Sequence, residues 1–476
     1  MDEIQFDRKR WERKRKLTTI AFALECLFLG MEYSVTFLTL WLYLRELVQT
    51  SSPKLFYSFI SAAYLVAGVV SSIFIGRLVD RYRNVRQTIF ICNFMVIIGN
   101  ILYALPFSAW FLLFGRLISG IGGPLRSVIS GELARCYPSD KLSSKLSIMG
   151  MMFASGFLVG PGFNFAFKSV NVGIGKWKIE YVNAPGLYMA VLFILLQIIC
   201  TFLVFDLSKE YDLKENEKEH AEANKKSDHN VHYGSLSTNE TTKVHEFSIT
   251  YNTKTENNPL IKEVNDKKQT MFLVTKELFK CIDTLLLLCG SFFSTFCIVV
   301  SDMWLPMLVV DVMNWSITEL NIIVLCGAIT CFISMFYFSW RTPSDGVLFI
   351  LAVLSTIFLT VLIGVLTFLY FYHSRLSINI FMWVVYDIGF GILIILEEIF
   401  FIGCLAKMVS SRIQTYAESV RLSMSRLGAL TGLLTSATLF EWMKVVGPIY
   451  MAMSLLLACL IILRRKRLQR PTLLIE

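Results

Sequence analysis

Charged side chains are scarce in this chain of 476 residues. Asp, Glu, Lys and Arg together make up 17% of it, whereas 55% of its residues are hydrophobic. A soluble domain of this composition would expose more apolar surface than water tolerates, because polar and charged residues normally cover the outside of a globular fold. The composition therefore excludes an ordinary soluble protein and indicates a surface that faces lipid.

The sequence also lacks the motifs of the common enzyme and nucleic-acid-binding classes. It has no GxxxxGK[ST] loop for a nucleotide phosphate and no DNA-reading motif, and its five histidines are scattered. Its 11 cysteines include no CxxC pair, and most fall within apolar stretches. We therefore expect no catalytic residue, no metal site, no cofactor and no nucleic-acid partner.

Long apolar stretches are what the sequence has in abundance. A helix needs roughly 20 mostly apolar residues to cross a bilayer, because the hydrocarbon offers no water to backbone groups. Twelve stretches are long enough: 17–44, 56–79, 88–106, 111–133, 146–167, 186–205, 282–310, 320–340, 347–370, 378–405, 413–439 and 446–463. The sequence thus predicts an all-α membrane protein with twelve transmembrane helices in two six-helix bundles.

One long polar segment separates the first six stretches from the last six. It has many charges and few aromatic residues, so it cannot bury a core of its own and is predicted to be disordered. The predicted parts are an N-terminal bundle with a basic terminus, a linker, a C-terminal bundle and a tail, at residues 1–207, 208–280, 281–464 and 465–476.

The orientation follows from the basic residues, which favour the cytosolic side in short loops. They are concentrated in the N-terminal segment, in the loop after the second stretch and in the C-terminal tail. We therefore expect both termini and the linker to be cytosolic, and the net charge of +9 to reflect this topology and attraction to anionic lipid.

Two short strings in the linker resemble endolysosomal sorting signals. One pairs a tyrosine with a bulky apolar residue three positions later, and the other places an acid four positions before a Leu-Ile pair: Tyr233 with Leu236, and Glu256 with Leu260 and Ile261. An extended peptide of this kind offers two anchors to a coat adaptor, which is therefore a possible partner. The alternative is that both strings occur by chance and are idle.

The loop after the second stretch has the composition of a charge latch between two helices, carried by Gly76, Asp80, Arg81 and Arg86. It resembles the signature loop of the major facilitator superfamily. The second glycine of that signature is replaced by Arg83, and we expect Asn84 to supply the left-handed turn one residue later, since Asn tolerates positive φ. The alternative is that the charges only enforce topology.

Two further segments resemble motifs of the same superfamily in their expected helices. The fourth stretch contains Arg116 and Gly120, and the fifth contains Gly156, Gly160 and Pro161. An intramembrane arginine usually faces a cavity or a partner, whereas the glycines could either pack helices or take part in gating. The resemblance implies two bundles of inverted three-helix repeats, with a solute site near the midplane and alternating access.

A finer resemblance is to the branch called major facilitator superfamily domain-containing protein 8, the lysosomal ceroid-lipofuscinosis group. It is carried by the fifth stretch, by the segment 181–188 and by Arg421 and Arg426 with their neighbours in the eleventh. This resemblance implies a transporter, not an enzyme, in a lysosomal or late endosomal membrane. Its solute would be a small molecule or ion, anions being one suggestion.

Seven charges inside the stretches are candidates for a substrate or proton pathway. They are Glu25, Glu32, Arg116, Asp302, Asp387, Glu398 and Arg426. We expect Glu25 and Glu32, two turns apart, to face the central cavity together. Glu32 with Arg116 and Asp387 with Arg426 would then form the two walls of a proton-linked carrier.

Two other interpretations stay open from the sequence. The buried charges could be static ion pairs, as we expect for Glu418 and Arg421, which lie three residues apart. The arginines could instead line a channel-like anion pathway, for chloride among others. A scaffold that does not transport, and recruits partners through its linker, is a weaker third interpretation.

Overall fold

The structure is a computed structural model that describes residues 2–35, 40, 43–49, 53–167, 170–174, 177–210, 271–315, 317–341, 344–372 and 376–471. The two strings that resemble sorting signals, with Tyr233, Leu236, Glu256, Leu260 and Ile261, lie outside the described residues.

The N-terminal half is built from seven helices that occupy the first six predicted stretches. They are α1 (Asp2–Ser34), α2 (Pro53–Tyr82), α3 (Val85–Tyr103), α4 (Ala109–Gly120), α5 (Leu125–Cys136), α6 (Ser139–Ala166) and α7 (Ala184–Leu203). The fourth stretch is divided into α4 and α5 because Pro124 precedes α5 and has no N–H to continue the helical hydrogen bonds. A π-helical turn at Tyr43–Leu47 begins inside the first predicted stretch, which ends at residue 44, and continues beyond it.

The C-terminal half contains the other six predicted spans. They are α8 (Ile282–Pro306), α9 (Ile317–Trp340), α10 (Asp345–Phe371), α11 (Leu376–Met408), α12 (Gln414–Glu441) and α13 (Met443–Leu463). A π-helical turn at Met307–Val312 follows α8, and a short helix at Arg465–Leu468 follows α13.

The end of the predicted linker is structured, which differs from the sequence prediction for residues 208–280. Residues Met271–Lys280 form a short helix that packs on α8. Its Val274 and Leu278 are buried, and the hydroxyls of Thr275 and of Tyr416 in α12 are 2.5 Å apart. The polar composition of the linker as a whole predicted disorder, but its last ten residues have an apolar face that packs against the bundle.

Helices in the described chain occupy all twelve positions predicted to cross the membrane. Eight helical segments are long and apolar enough to do so by length and composition. The fifth, eighth, tenth and eleventh spans are α6, α9, α11 and α12, and α12 is polar because it carries Glu418, Arg421 and Arg426. The fold is therefore the twelve-helix architecture that the sequence predicted.

The two ends of the molecule differ in what they carry. At one end, called here the terminal face, Lys14 near the start of α1 pairs with Glu210 after α7. At the other end, the hairpin face, the strands β1 (Asn171–Ile174) and β2 (Trp177–Glu180) pair antiparallel between α6 and α7. The indole N–H of Trp177 donates to the carbonyl of Ala104, which fixes the hairpin to the end of α3.

Each half has its own apolar core, and the two halves meet along two groups of helices. Within the halves, α1 packs on α6 and α8 packs on α12. Between the halves, α2 and α5 pack on α12, and α6 packs on α9 and α11. The halves therefore touch along two seams, and a cleft lies between them.

Small residues allow α1 and α6 to cross closely. A Cβ at Gly156 would overlap the carbonyl oxygen of Leu27, and a Cβ at Gly30 would overlap that of Phe153. Close backbone approach of this kind is a common way to join helices in lipid, where apolar burial between helices gains little. Gly156 thus has a packing contact, while a role in gating stays a prediction.

Replacing Gly156 with alanine should destabilise the protein. The added methyl group collides with backbone, which cannot rotate away, so we expect a loss of about 1–3 kcal/mol. The measurement is the thermal unfolding of the purified protein in detergent.

The matched control is Gly403→Ala in α11, where an added Cβ meets no atom within 4 Å. This variant should melt at or above the temperature of the unchanged protein, because alanine favours the helix. Equal melting of the two variants would contradict the close crossing of α1 and α6.

Candidate functional site

A cavity of about 340 Å³ lies in the cleft between the two halves. Its volume is in the range of sites that bind small molecules. Its charged lining residues are Arg116, Arg126, Asp302 and Arg426, and three tyrosines, Tyr33, Tyr57 and Tyr64, lie among its apolar lining residues. Both halves contribute to it, so it is the candidate functional site.

The first cavity arginine is neutralised within its own half. The guanidinium of Arg116 in α4 donates to the Glu32 carboxylate in α1 at 2.8 Å and lies 4.5 Å from the ring centre of Tyr64. Asn100 in α3 donates to the other carboxylate oxygen at 2.7 Å. Glu32 is fully buried and does not line the cavity itself, but its partner Arg116 does.

Glu25 does not line this cavity, in contrast to the expectation that it would face it together with Glu32. Its carboxylate accepts hydrogen bonds from Asn93 in α3 at 2.6 Å and from the Cys200 thiol in α7 at 3.1 Å. The two acids do share one face of α1, but this face points toward α3. Asparagines seven residues apart in α3 meet glutamates seven residues apart in α1, and this matched spacing in the sequence is the signal for their pairing.

The second cavity arginine is neutralised across the cleft. Arg126 in α5 donates to Glu398 in α11 at 2.8 Å, and Arg421 in α12 lies 3.7 Å from the same carboxylate. Arg421 also pairs with Glu418 at 2.6 Å, as the sequence predicted. These four residues form a charge chain that joins the halves. Arg126 was not among the predicted site residues, because its partner lies 272 residues away.

The third cavity arginine has neutral partners. Arg426 in α12 donates to the carbonyl oxygens of Gly68 and Gly123 at 2.6 and 2.5 Å, and to the Ser72 hydroxyl at 2.8 Å. No carboxylate lies within 4.0 Å of it in the described chain. Its positive charge is therefore held at the floor of the cavity without an opposite charge.

Asp387 does not line the cavity beside Arg426, although the sequence analysis placed both there. It is 8% exposed, and a Cβ added at Gly327 in α9 would lie 3.2 Å from its carboxylate oxygen. Asp387 and Glu398 lie eleven residues apart in α11, about three helical turns, which predicts a shared face, but only Glu398 reaches the cleft. A helix of 33 residues borders different neighbours along its length, which periodicity alone cannot show.

Asp302 in α8 is the acid that lines the cavity directly. Its side chain is exposed there, and it makes no hydrogen bond or ion pair with any described residue. Asp302 and Arg426 are thus the two cavity charges that lack an opposite charge. Within the described ranges, no group of His, Cys, Asp and Glu could hold a metal ion.

The cleft is closed on its terminal side by a buried latch around Asp80. Its carboxylate pairs with Arg135 at 2.7 Å and accepts the backbone N–H groups of Thr415 and Tyr416 at 2.9 and 2.6 Å. These N–H groups belong to the first turn of α12, which favours an anion through its unpaired donors and helix dipole. The latch therefore joins α2 of one half to α12 of the other.

The other residues of the signature loop act differently from the prediction. Arg83, with φ of 53°, takes the left-handed conformation that was expected for Asn84. Arg81 is exposed and lies over the ring of Tyr82, 5.3 Å from its centre. Arg86 binds within its own half, through its backbone N–H to Asp206 and its side chain to a carbonyl of α7. The main partner of Asp80 is Arg135, which lies outside the predicted loop.

Glycines of the predicted motifs lie at close contacts. Those in α2 and α4 allow neighbours to approach, since a Cβ at Gly76 would overlap the Ser419 hydroxyl and one at Gly120 would lie 2.5 Å from the Tyr64 carbonyl. Gly160 meets the Ser34 hydroxyl in the same way, and Pro161 follows within α6. Gly76 thus contributes to the seam between the halves, and Gly120 and Gly160 to packing within the first half.

The contacts between the halves lie at the cavity floor and on its terminal side. From the floor outward they are made by Arg426, by the Arg126–Glu398 pair, by the hydroxyls of Ser127 and Ser419, 2.9 Å apart, and by the latch. A charged cavity between two six-helix halves, shut at one end, is the architecture of a membrane transporter that works by alternating access.

Comparison of sequences identifies the family. A profile of the Major Facilitator Superfamily matches residues 20–398, which is most of the chain. The protein belongs to the Major Facilitator Superfamily, and the superfamily resemblance of the motifs is thereby confirmed. Members of this superfamily are transporters, which agrees with the expectation that the chain is not an enzyme.

Curated relatives match only part of the chain. Solute carrier family 2, facilitated glucose transporter member 12 of Xenopus laevis is 27% identical over 163 residues, 34% of this chain and 26% of the relative. The class H tetracycline resistance protein of Pasteurella multocida is 27% identical over 119 residues, 25% of this chain and 29% of the relative. The matches thus span between a quarter and a third of these relatives.

Solved structures match nearly the whole fold. The human organic anion transporter MFSD10 (TETRAN) superposes with a TM-score of 0.66 at 14% identity, covering 94% of this chain and 99% of that one. The proton:xylose symporter XylE superposes with a TM-score of 0.65 at 13% identity, covering 95% of each chain. At these identities the comparison supports the fold alone.

Neutralising Asp80 should open the terminal face. Removing one partner of a buried charge pair costs about 3–5 kcal/mol, so Asp80→Asn weakens the joint between α2 and α12. We expect a cysteine introduced at the buried Ser127 to react with a membrane-impermeant maleimide about ten times faster. A tenfold increase corresponds to about 1.4 kcal/mol, which is less than the energy lost with the pair. Labelling is measured against a background without this cysteine.

Asp206→Asn is the matched control, since Asp206 binds the backbone of Arg86 at the same face but within one half. This variant should label like the unchanged protein. Equal labelling of the Asp80 and Asp206 variants would contradict the role of the latch.

Proposed function

We propose that this protein is a secondary-active carrier of a small organic anion, coupled to protons and located in an endolysosomal membrane. The observation that carries the proposal is Arg426 at the cavity floor, held by two carbonyls and a hydroxyl. A buried cation without a carboxylate partner is costly, and an anion that enters the cavity offsets this cost. Arg116 and Arg126 have carboxylates of their own and attract a solute less.

The names of two fold neighbours agree with this proposal. One is described as an organic anion transporter and the other as a proton:xylose symporter. Both substrate classes are small polar molecules that suit a cavity of about 340 Å³. An anion fits the arginine at the cavity floor better than a neutral sugar does.

Proton coupling is proposed for the Glu32–Arg116 pair. Glu32 is buried beside the cavity and is held by one guanidinium and one amide. An acidic group held at Arg426 also attracts Arg116, which lines the same cavity. A buried carboxylate that shares its guanidinium partner with a solute gains a proton more easily, because desolvation penalises the less well paired charge. Solute binding and proton binding would then favour each other.

A carrier agrees with the geometry better than the channel-like alternative. The cavity ends at Arg426 and is followed by the charge chain, the serine pair and the Asp80 latch. A channel needs a continuous path in at least one state, whereas a carrier alternates which face is shut. These successive contacts close the terminal face, and a carrier requires a state in which one face is closed.

The test is transport by the full chain in proteoliposomes. The vesicles receive the organic-acid fraction of a lysosomal extract, and the uptake of each acid is followed by mass spectrometry with and without a pH gradient. A carrier gives saturable uptake that the gradient accelerates, and counterflow against preloaded acid. Conductance without counterflow would favour the channel, and no uptake of any acid would overturn the proposal.

Glu32→Gln should remove the effect of the pH gradient while leaving counterflow in place, because glutamine keeps the size of the side chain and one acceptor oxygen but cannot bind a proton. Glu25→Gln is the matched control, since Glu25 lies on the same face of α1 and also accepts from an asparagine. Uptake by the control should keep its pH dependence. Full pH dependence in the Glu32 variant would exclude Glu32 from coupling.

The lysosomal or late endosomal location is proposed from the branch resemblance and from the two linker strings. In this location the terminal face would be cytosolic, and a coat adaptor would bind the linker. The membrane association itself agrees with the apolar helices.

Changing both linker strings should move the protein to the cell surface. The variant combines Tyr233→Ala with alanines at Leu260 and Ile261, and surface biotinylation of tagged protein is measured. Tyr251→Ala is the control, because Tyr251 is followed three residues later by a lysine. Unchanged lysosomal location of the triple variant would contradict a sorting role for both strings.

A further inference from the structure

We infer that the cavity binds a zwitterion, with an ammonium group at Asp302 and an acidic group at Arg426. This inference rests on the proposed carrier function and changes the charge of its substrate: the acidic group at Arg426 stays, and an ammonium group at Asp302 is added. A simple anion would leave Asp302 without a partner inside the cleft. A solute that carries both charges satisfies the two cavity groups together.

Asp302 differs from the other acids of the cleft region. Glu32 and Glu398 each have an arginine at 2.8 Å, whereas Asp302 has no ion pair or hydrogen bond among the described residues. The carboxylate is exposed into the cavity, so a ligand can reach it directly. A carboxylate in this setting attracts a cation from the solute.

The two cavity charges that lack an opposite charge lie at different levels. The hydroxyls of Thr295 in α8 and Ser425 in α12 are 2.8 Å apart, which places Thr295 at the level of Arg426. Asp302 follows seven residues later in α8, about 10 Å further along the axis toward the hairpin face. The solute therefore carries its two charges several bonds apart, which favours an elongated zwitterion over an α-amino acid.

The wall near these charges suits such a molecule. Tyr33 has its ring centre 5.8 Å from that of Tyr64 and 5.9 Å from that of Phe157, and all three line the cavity. Aromatic rings stabilise an ammonium group at their faces and pack against methylene groups. The rings thus provide an apolar surface for the part of the solute between its charges.

Electrostatic balance supports the same conclusion. Arg116 is neutralised by Glu32, and the chain of Arg126, Glu398, Arg421 and Glu418 has equal numbers of both charges. Arg426 and Asp302 remain, and their charges sum to zero. A zwitterion pairs with both and adds no net charge to the cleft, whereas a singly charged solute leaves one group unpaired at a desolvation cost.

The test compares three probes of similar length that differ in charge: 6-aminohexanoate, hexanoate and hexylammonium. Binding to the purified full chain in detergent is measured by isothermal calorimetry. We expect 6-aminohexanoate to bind at least about ten times more tightly than either singly charged probe, the effect of one hydrogen bond to a charged group.

Asp302→Asn should remove this preference and leave the affinity for hexanoate unchanged, which also shows that the variant is folded. Asp387→Asn is the matched control, because Asp387 is an acid of the same half that does not line the cavity. It should retain the full preference for 6-aminohexanoate.

Three results would overturn the inference. They are equal binding of 6-aminohexanoate and hexanoate, an intact preference in the Asp302 variant, and no binding of any probe at millimolar concentration. Equal binding of the two acids leaves the proposed anion carrier standing and removes only the zwitterion. Failure of the carrier itself is seen separately, as absence of uptake and counterflow in proteoliposomes.

Discussion

The structure depends on the cost of an unpaired charge in a medium that cannot hydrate it. Almost every buried charge of the helical bundle has found an opposite charge or several hydrogen-bond donors or acceptors. Glu32 has Arg116, Asp80 has Arg135 and two backbone N–H groups, and Glu25 has an amide and a thiol. Asp302 and Arg426 line the open space between the halves, and neither has an opposite charge within ion-pair distance among the described residues. The cavity is thereby defined by electrostatics as much as by shape.

The ion pairs and charged hydrogen bonds of the bundle fall into two groups with different roles. Pairs within a half, such as Glu32 with Arg116, keep their helices together whatever the halves do. Pairs across the cleft, such as Arg126 with Glu398 and Asp80 with the start of α12, must separate when the terminal face opens. Because separation exposes these groups to water, their hydration offsets part of the cost of breaking the pairs. Polar contacts are thus suited to a seam that opens, where an apolar seam would expose hydrophobic surface.

The sequence predicted the helices and the superfamily because both depend on local patterns. Twenty apolar residues in a row have few alternatives to a membrane helix, and the motif glycines occur at fixed spacings. It could not predict partners: Glu25 and Glu32 share a face of α1, yet only Glu32 meets an arginine. Arg126 finds Glu398 across 272 residues, and the first turn of α12 caps Asp80 across 335. Such contacts follow from how helices pack, which residue spacing within one helix does not contain.

The short helix at Met271–Lys280 ties the linker to the moving seam. Its Thr275 hydroxyl meets the side chain of Tyr416, and the backbone N–H of that same residue binds Asp80. One tyrosine therefore belongs to both the tether and the closure of the cleft. A force on the short helix therefore acts on the turn of α12 that binds Asp80.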